Sequence, residues 1–416
     1  MSEPTQPQSP PGPAGFLTMM GPEFLTNPYP FYERLRSLSP VLRAPGAVEL
    51  GAWIVTSHSA CSTALRSKQF GKEGQKVLPP EKLAMIPLER LDLVDRRRNN
   101  MLFRDPPDHT RLRGLVSQAF TPRTIERLRP HIGEIAEHLL DDAQKRGSMD
   151  LIADFAFPLP IIVIAELLGV PPEERDRFKT WSNQLIVGLS PLAQQEDFVR
   201  IAKAIGELDD YLSGVIAERR RAPRQDLISE LIQAQEAGDQ LSQDEMVATC
   251  RLLLTAGHET TVNLIGNGTL ALLRHPEEWA RLRADTGLLP GAIEELLRYD
   301  SPVQMTLRFT LEDTQLGNQA VSRGDLLMVL TGAANHDPEH YAEPARLDVT
   351  RENAHSHLAF GAGIHYCLGA SLARLEGQIA IGGLLRRMPG LQVAAEPLEW
   401  RKNPVLRGLK SLPVTF

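Results

Sequence analysis

The segment Phe360-Gly361-Ala362-Gly363-Ile364-His365-Tyr366-Cys367-Leu368-Gly369 sets one cysteine among three glycines. Glycine has no Cβ, so Gly361, Gly363 and Gly369 allow the backbone to approach a ligand closely. A helix is expected over about Gly369–Arg387, which puts Cys367 just before its N-terminus. Backbone N–H groups and the helix dipole favour an anion there, so Cys367 suits a thiolate. The other two cysteines are Cys61 and Cys250, and no pair has CxxC spacing. Neither a zinc cluster nor a disulfide framework fits, and both are read as ordinary thiols. A lone thiolate with no second soft ligand suits a metal whose other positions are already filled, and iron in haem with one axial cysteine is that case.

Three further constellations carry chemical groups. In Ala256-Gly257-His258-Glu259-Thr260-Thr261, Gly257 removes a side chain where a diatomic ligand must fit. The Thr260 hydroxyl can bond back to the Ala256 carbonyl, which bends or widens a helix. Glu259 supplies an acid beside that hydroxyl for proton delivery, while His258 has no assigned role. Glu295-Leu-Leu-Arg298 places a carboxylate and a guanidinium on one helix face. His109 and Arg113 follow Asp105-Pro-Pro-Asp and share a face at i,i+4. Arg111 lies about 200° around the same helix, at about 100° per residue, and is expected to point outward.

The elements that must hold these groups are mostly helical. Ser242-Gln-Asp-Glu245 is a capping box, and the pattern it opens runs to Arg274, where His275-Pro276 stops it. Gly257, Thr260 and Thr261 are poor mid-helix residues, and such local rule-breaking marks a functional site. Short β-like runs occur at Val41–Leu42, Trp53–Thr56 and Leu326–Leu330. The stretch 71–107 shows little periodicity and contains Arg96-Arg97-Arg98. Leu151–Val170 is apolar, but Asp154, Pro158, Pro160 and Glu166 argue against a membrane span. It is read as a loop leading into a buried helix, Ile161–Leu168, stopped by Gly169 and Pro171. The proline-rich start reads as a disordered tail over 1–20.

With its spacing FxxGxxxCxG, the cysteine loop resembles that of the cytochrome P-450 family in its soluble bacterial form, and the resemblance runs from about Pro22 to the C-terminus. It implies a mainly α fold with a smaller β region, a triangular prism with haem between the long central helix and the helix after the cysteine loop. Cys367 is then the axial haem-iron ligand, with Phe360, Gly361, Gly363 and Gly369 in the loop around the cofactor. His109, Arg113, Arg308 and His365 become partners of the haem propionates. Ala256, Gly257, Glu259 and Thr260 become the oxygen-activation residues, with Glu259 where the family more often has aspartate. Arg346 in Glu343-Pro-Ala-Arg346-Leu347 becomes the third member of a structural network with Glu295 and Arg298. Leu347 departs from the usual aromatic there. Asn335-His-Asp337-Pro338 also matches a family segment, with no role argued.

The activity implied is insertion of one atom of O2 into a hydrophobic organic molecule, by hydroxylation or epoxidation. No flavin or iron–sulfur motif is present in the sequence, so electrons are expected from outside the chain, and the resemblance implies NAD(P)H through a ferredoxin and its reductase. Arg111 and Arg374 are expected to add positive charge to the docking face. By position the substrate pocket involves the 71–103 loop, the region near 178–195, Leu253, Val303, Met305, Thr306, Leu307, Val405 and Leu406. A peroxide-driven hydroxylase of the same family is a second reading, against which the Glu259–Thr260 pair counts. A haem sensor or carrier without enzymatic activity is a third.

Composition narrows the class. The 416 residues carry 45 Lys+Arg against 52 Asp+Glu, a net charge of −7. That mild acidity argues against non-specific nucleic-acid binding. Apolar residues make up 42% and charged residues 23%, ordinary globular usage. Few cysteines suit a reducing cytoplasm, and a soluble monomer without a membrane segment is expected. Length alone suggests two or three domains. The proposed site instead draws on residues from His109 to Cys367, so residues 21–416 are expected to fold as one catalytic domain.

Overall fold

The structure is a computed structural model that describes residues 21–44, 52–80, 99–190, 193–236 and 241–416. The expected tail 1–20 and the run Arg96–Arg98 lie outside the described residues. Helices dominate. Those that position the site are α1 (Tyr29–Leu38), α2 (His58–Arg66), α3 (Asp108–Ser117), α4 (Arg129–Gln144), α5 (Pro158–Leu168), α6 (Arg175–Val187), α7 (Gln195–Arg221), α8 (Gln243–Leu273), α9 (Leu289–Tyr299) and α10 (Ala370–Arg387).

Helix α8 is the central column. Its capping box is formed: Ser242 Oγ accepts from Glu245 N, and the Glu245 carboxylate accepts from Ser242 N. Arg274 is its C-cap. At 31 residues it spans about 46 Å, and α5, α7, α9 and α10 pack around it. One contiguous apolar core draws on residues from Met101 to Val414.

The Leu151–Val170 run differs from the sequence expectation. Leu151–Ala156 is a π-helical turn rather than a loop, capped by Asp150, and α5 begins at Pro158. Pro158 and Pro160 stand in the first turn, where the missing N–H costs nothing, so they start the helix instead of delaying it. Gly169 ends it at φ +79°. Leu151–Leu168 is long and apolar enough to cross a membrane by length and composition, yet 67% of it is buried inside the protein. It is a core helix by that measure.

The smaller β region includes a five-stranded sheet of order β1-β2-β8-β5-β3, with β1 Val41–Ala44, β2 Ala52–Val55, β3 Phe70–Gly71, β5 Thr306–Thr310 and β8 Leu326–Val329. Only β2 and β8 run parallel. Period-two alternation on β5 buries Arg308 and Thr310, which turns Arg308 inward. A second sheet joins β4 (Ser148–Asp150), β10 (Pro413–Thr415) and β9 (Gln392–Val393), and β6 (Thr314–Leu316) pairs with β7 (Gln319–Val321).

Candidate active site

Cys367 sits where the sequence puts it, two residues before the Gly369 N-cap of α10. Its N–H donates to the Phe360 carbonyl at 2.9 Å, which closes the loop. Burial pushes the thiol pKa up from its ordinary value, while the Gly369 N–H, Arg113 and Arg374 pull it down. Desolvation therefore outweighs the helix terminus, and a bound metal cation is what would hold the sulfur as thiolate. The glycines serve the loop differently from the expectation. At Gly363 (φ +69°) a Cβ would stand 2.4 Å from the Leu65 carbonyl oxygen, so this glycine lets the loop close on α2. Around Gly369 no atom lies within 4 Å of such a Cβ.

Basic side chains from four distant segments gather beside the loop. His109 is 2% exposed, and neither ring nitrogen has a hydrogen-bond partner among the described residues. Its ring stands 4.4 Å from that of His365. His365 Nε2 is 3.9 Å from Asp105 Oδ1, beyond hydrogen-bond reach. Burial lowers the pKa of both rings, that of His365 to about 4. Buried Arg308 donates to its neighbour's carbonyl, Leu307 O, at 2.9 Å, and burial brings its pKa to about 10. Burial also lowers the pKa of Arg113.

Lys72 joins this group unforeseen. Its Nζ donates to Thr306 Oγ1 at 2.9 Å, and burial, with Arg308 nearby, pulls its pKa well down. Asp105 accepts from the backbone N–H of Lys72 and Glu73. Burial raises its pKa, but His365 and those N–H groups bring it to about 2. Buried donors with unspent capacity beside a thiol fit haem b, which offers two carboxylates and an iron.

The middle of α8 carries the second group of expected residues. Ala256 is exposed although most of its helix is buried. Thr260 Oγ1 donates to the Ala256 carbonyl at 3.0 Å, the back-bond expected. A Cβ on Gly257 would meet Ile164 of α5 at 3.4 Å, an ordinary van der Waals contact, so packing against α5 does not by itself require glycine there. His258 points away: Nδ1 bonds the Leu254 carbonyl at 2.8 Å, the ring packs edge-on to Phe157, and burial lowers its pKa.

Glu259 is buried, with Oε1 3.1 Å from Arg401 Nη1. Thr261 donates its hydroxyl to the Gly257 carbonyl at 3.1 Å, a second back-bond, and stands near Glu376 of α10, a buried acid. Burial raises the Glu376 pKa from 4.5 to about 8, against a smaller pull from Thr261. A carboxyl raised on folding contributes stability that is complete below the unfolded pKa and lost as pH rises through the folded one. The expected result is that wild-type protein loses about 1.4 kcal/mol per pH unit more than Glu376→Gln between roughly pH 5 and 8. Denaturant unfolding across that range checks it, and parallel curves would refute the assignment.

The structural network is present with a different third member. Arg298 donates Nε and Nη2 to the two Glu295 oxygens at 2.7 and 2.8 Å, all of it buried. The second guanidinium on Glu295 is Arg351, 3.2 Å away. Arg346 supplies only its backbone carbonyl to Arg298, and its side chain is exposed beside Glu343. Leu347 takes the buried place instead, 2% exposed in the main core. Asn335 gains a role: its carbonyl accepts from Arg298 at 2.9 Å and its Oδ1 from Leu358 N at 2.7 Å. It ties the network to the cysteine loop.

The expected positive docking face is neutralised at its two arginines. Arg111 reaches Glu245 at 2.5 Å, and Arg374 holds both oxygens of Glu294 at 2.6 and 2.8 Å. Long-range carboxylates cancel charges that look free in sequence.

Of the proposed pocket residues, Val303 bridges to Leu406, and Gln304 N donates to the Val405 carbonyl. Leu253 is buried on α8, Thr306 half-buried, and Leu307 44% exposed. Met305 departs from the expectation, since it packs with Phe24, Tyr32, Ile54 and Leu330, and Val405 packs against that same cluster. Residues 81–98 of the 71–103 loop lie outside the described residues.

The family model described as Cytochrome P450 matches residues 84–389. Cytochrome P450 107B1 of Saccharopolyspora erythraea is 47% identical over 390 residues, 92% of this chain and 93% of that protein. Polyketide biosynthesis cytochrome P450 PksS of Bacillus subtilis is 43% identical over 407 residues, 95% of this chain and 97% of that one. Among solved structures, P450BioI in complex with an acyl carrier protein ligated with hexadec-9Z-enoic acid superposes with a TM-score of 0.87 at 42% identity, covering 95% of this chain and 99% of that one.

Proposed function

The chain belongs to the cytochrome P450 family, and from that premise we propose that it is a cytoplasmic haem-thiolate monooxygenase acting on an apolar acyl or polyketide-type substrate. Electrons come from NAD(P)H through a ferredoxin and its reductase. The observation that carries the reading is Cys367 at the N-terminus of α10 with Arg113 near it, together with buried His109, whose two ring nitrogens, like His365 Nε2, have no hydrogen-bond partner among the described residues. When bound, haem supplies a thiolate-ligated iron that activates O2 for transfer to carbon.

The chain's own residues do the rest. His109, His365, Arg113, Arg308 and Lys72 hold the carboxylates of the cofactor, each contact a strong one because an anion accepts it. Ala256 keeps the helix surface low where it faces the reaction space. Thr260 spends its proton on the Ala256 carbonyl, so its oxygen lone pairs remain to accept a hydrogen bond from the site. Glu259, next in the chain, rests as the carboxylate paired with Arg401, and it relays a proton toward the site by first taking one up from solvent and then returning to that ion pair. Leu253, Val303, Leu307 and Leu406 favour an apolar ligand. The names of the relatives, one from polyketide biosynthesis and one bound to a fatty-acyl carrier protein, support the acyl and polyketide classes.

Thr260→Ala is expected to keep NAD(P)H consumption within about twofold of wild type while product per NAD(P)H falls about tenfold or more, the remainder appearing as hydrogen peroxide. The measurement uses a bacterial ferredoxin and reductase with a ligand chosen by spectral titration over fatty acids and macrolactones. Unchanged coupling would remove Thr260 from proton delivery.

A further inference from the structure

Glu259 is held by a residue from the far end of the chain. Its buried carboxylate has one cation at ion-pair distance, Arg401 Nη1 at 3.1 Å. Neither of its oxygens makes a hydrogen bond among the described residues. One turn on, Asn263 is also buried with both amide atoms unpartnered among those residues. The two share a face of α8 at i,i+4. Against that face runs the segment 400–409: a Cβ on Gly408 would stand 1.9 Å from Asn263 Oδ1, and Asn267 Nδ2 donates to the Arg407 carbonyl at 3.0 Å.

Arg401 is itself fixed from three sides. Its backbone N–H donates to the Gly408 carbonyl at 2.9 Å. Its Nε reaches the Leu409 carbonyl at 3.4 Å, and Nη1 reaches Asn183 Oδ1 of α6 at 3.2 Å. Asn403 adds a second tie to α6, donating to the Ile186 carbonyl at 3.1 Å. The guanidinium is 23% exposed at its outer edge and the carboxylate 2%.

We infer that Arg401 is a positioning residue for Glu259, setting where the acid next to Thr260 points. A buried carboxylate follows the one counter-charge it has among the described residues, because separating them leaves an uncompensated charge in a low dielectric. The orientation of Glu259 is therefore read from the 400–409 segment, which also carries Val405 and Leu406, and from α6. The catalytic part of this inference rests on the proposed monooxygenase reading; the pairing does not.

Two measurements test them separately. Thermal unfolding of Arg401→Gln, Glu259→Gln and the double variant gives a double-mutant cycle that needs no turnover. Arg401→Gln is expected to lower Tm, and Glu259→Gln in that background to restore part of it. Additive shifts in Tm would overturn the pairing. In turnover, Arg401→Gln is expected to keep the reduced carbon monoxide spectrum of wild type and lose coupling about tenfold. Arg401→Lys is expected to recover at least half of that loss, which a merely structural contact would not grade by charge. Equal coupling in wild type and Arg401→Gln would overturn the positioning role. A wild type with neither the thiolate spectrum nor product would sink the functional reading, with the Tm cycle still standing or falling by itself.

Discussion

Cys367→Ser is expected to abolish the thiolate signature of the reduced carbon monoxide spectrum and to reduce product formation by about 10³-fold or more, while the folded chain survives. The two halves of that result have separate causes. Loop geometry does not depend on sulfur: it comes from the Cys367 N–H bond to Phe360 O and from the closure of Gly363 on Leu65. The basic residues beside it, His109, Arg113, Arg308, His365 and Lys72, are untouched by the change. Serine is a harder, far weaker ligand and holds its proton, so the electron donation that a thiolate supplies is lost even where the cofactor still binds. Circular dichroism, haem content, the carbon monoxide spectrum and product yield measured on one preparation check the fold, the ligand and the activity. A surviving thiolate signature would mean that another sulfur ligates; among the described residues the other two, Cys61 and Cys250, are buried, with thiols that burial pushes up.

The second large effect separates two arginines that sequence places in competition. Arg351→Ala is expected to cost about 3 kcal/mol, because it removes a 9%-exposed guanidinium from fully buried Glu295 and frees the carbonyls of Ala342, Glu343 and Arg346. Arg346→Ala is expected to change stability by less than about 0.5 kcal/mol, as its side chain meets only exposed Glu343. Midpoints in guanidinium chloride decide between them. Equal losses would return Arg346 to the network.

The sequence was readable where a local rule carries the structure. The ends of α8 follow from Ser242, Glu245 and Pro276, and the Thr260 back-bond from its own hydroxyl. The position of Cys367 before α10 follows from the loop's glycines and the helical pattern behind it. Roles that depend on a partner far along the chain were not readable. Arg111 and Arg374 look like free cations until Glu245 and Glu294 are brought against them. Arg351 looks like a surface residue until folding buries it beside Glu295. Lys72 lies in a stretch without periodicity, and Arg401 stands 142 positions from the acid it pairs with, in a tail that gives no local signal.

Glu245 answers two demands at once: it completes the cap of α8 and it holds Arg111 of α3. Helix α3 also carries His109 and Arg113. One carboxylate thus makes the opening turns of two helices a single cooperative unit. The turn that presents His109 is thereby fastened to the first turn of the column that presents Thr260.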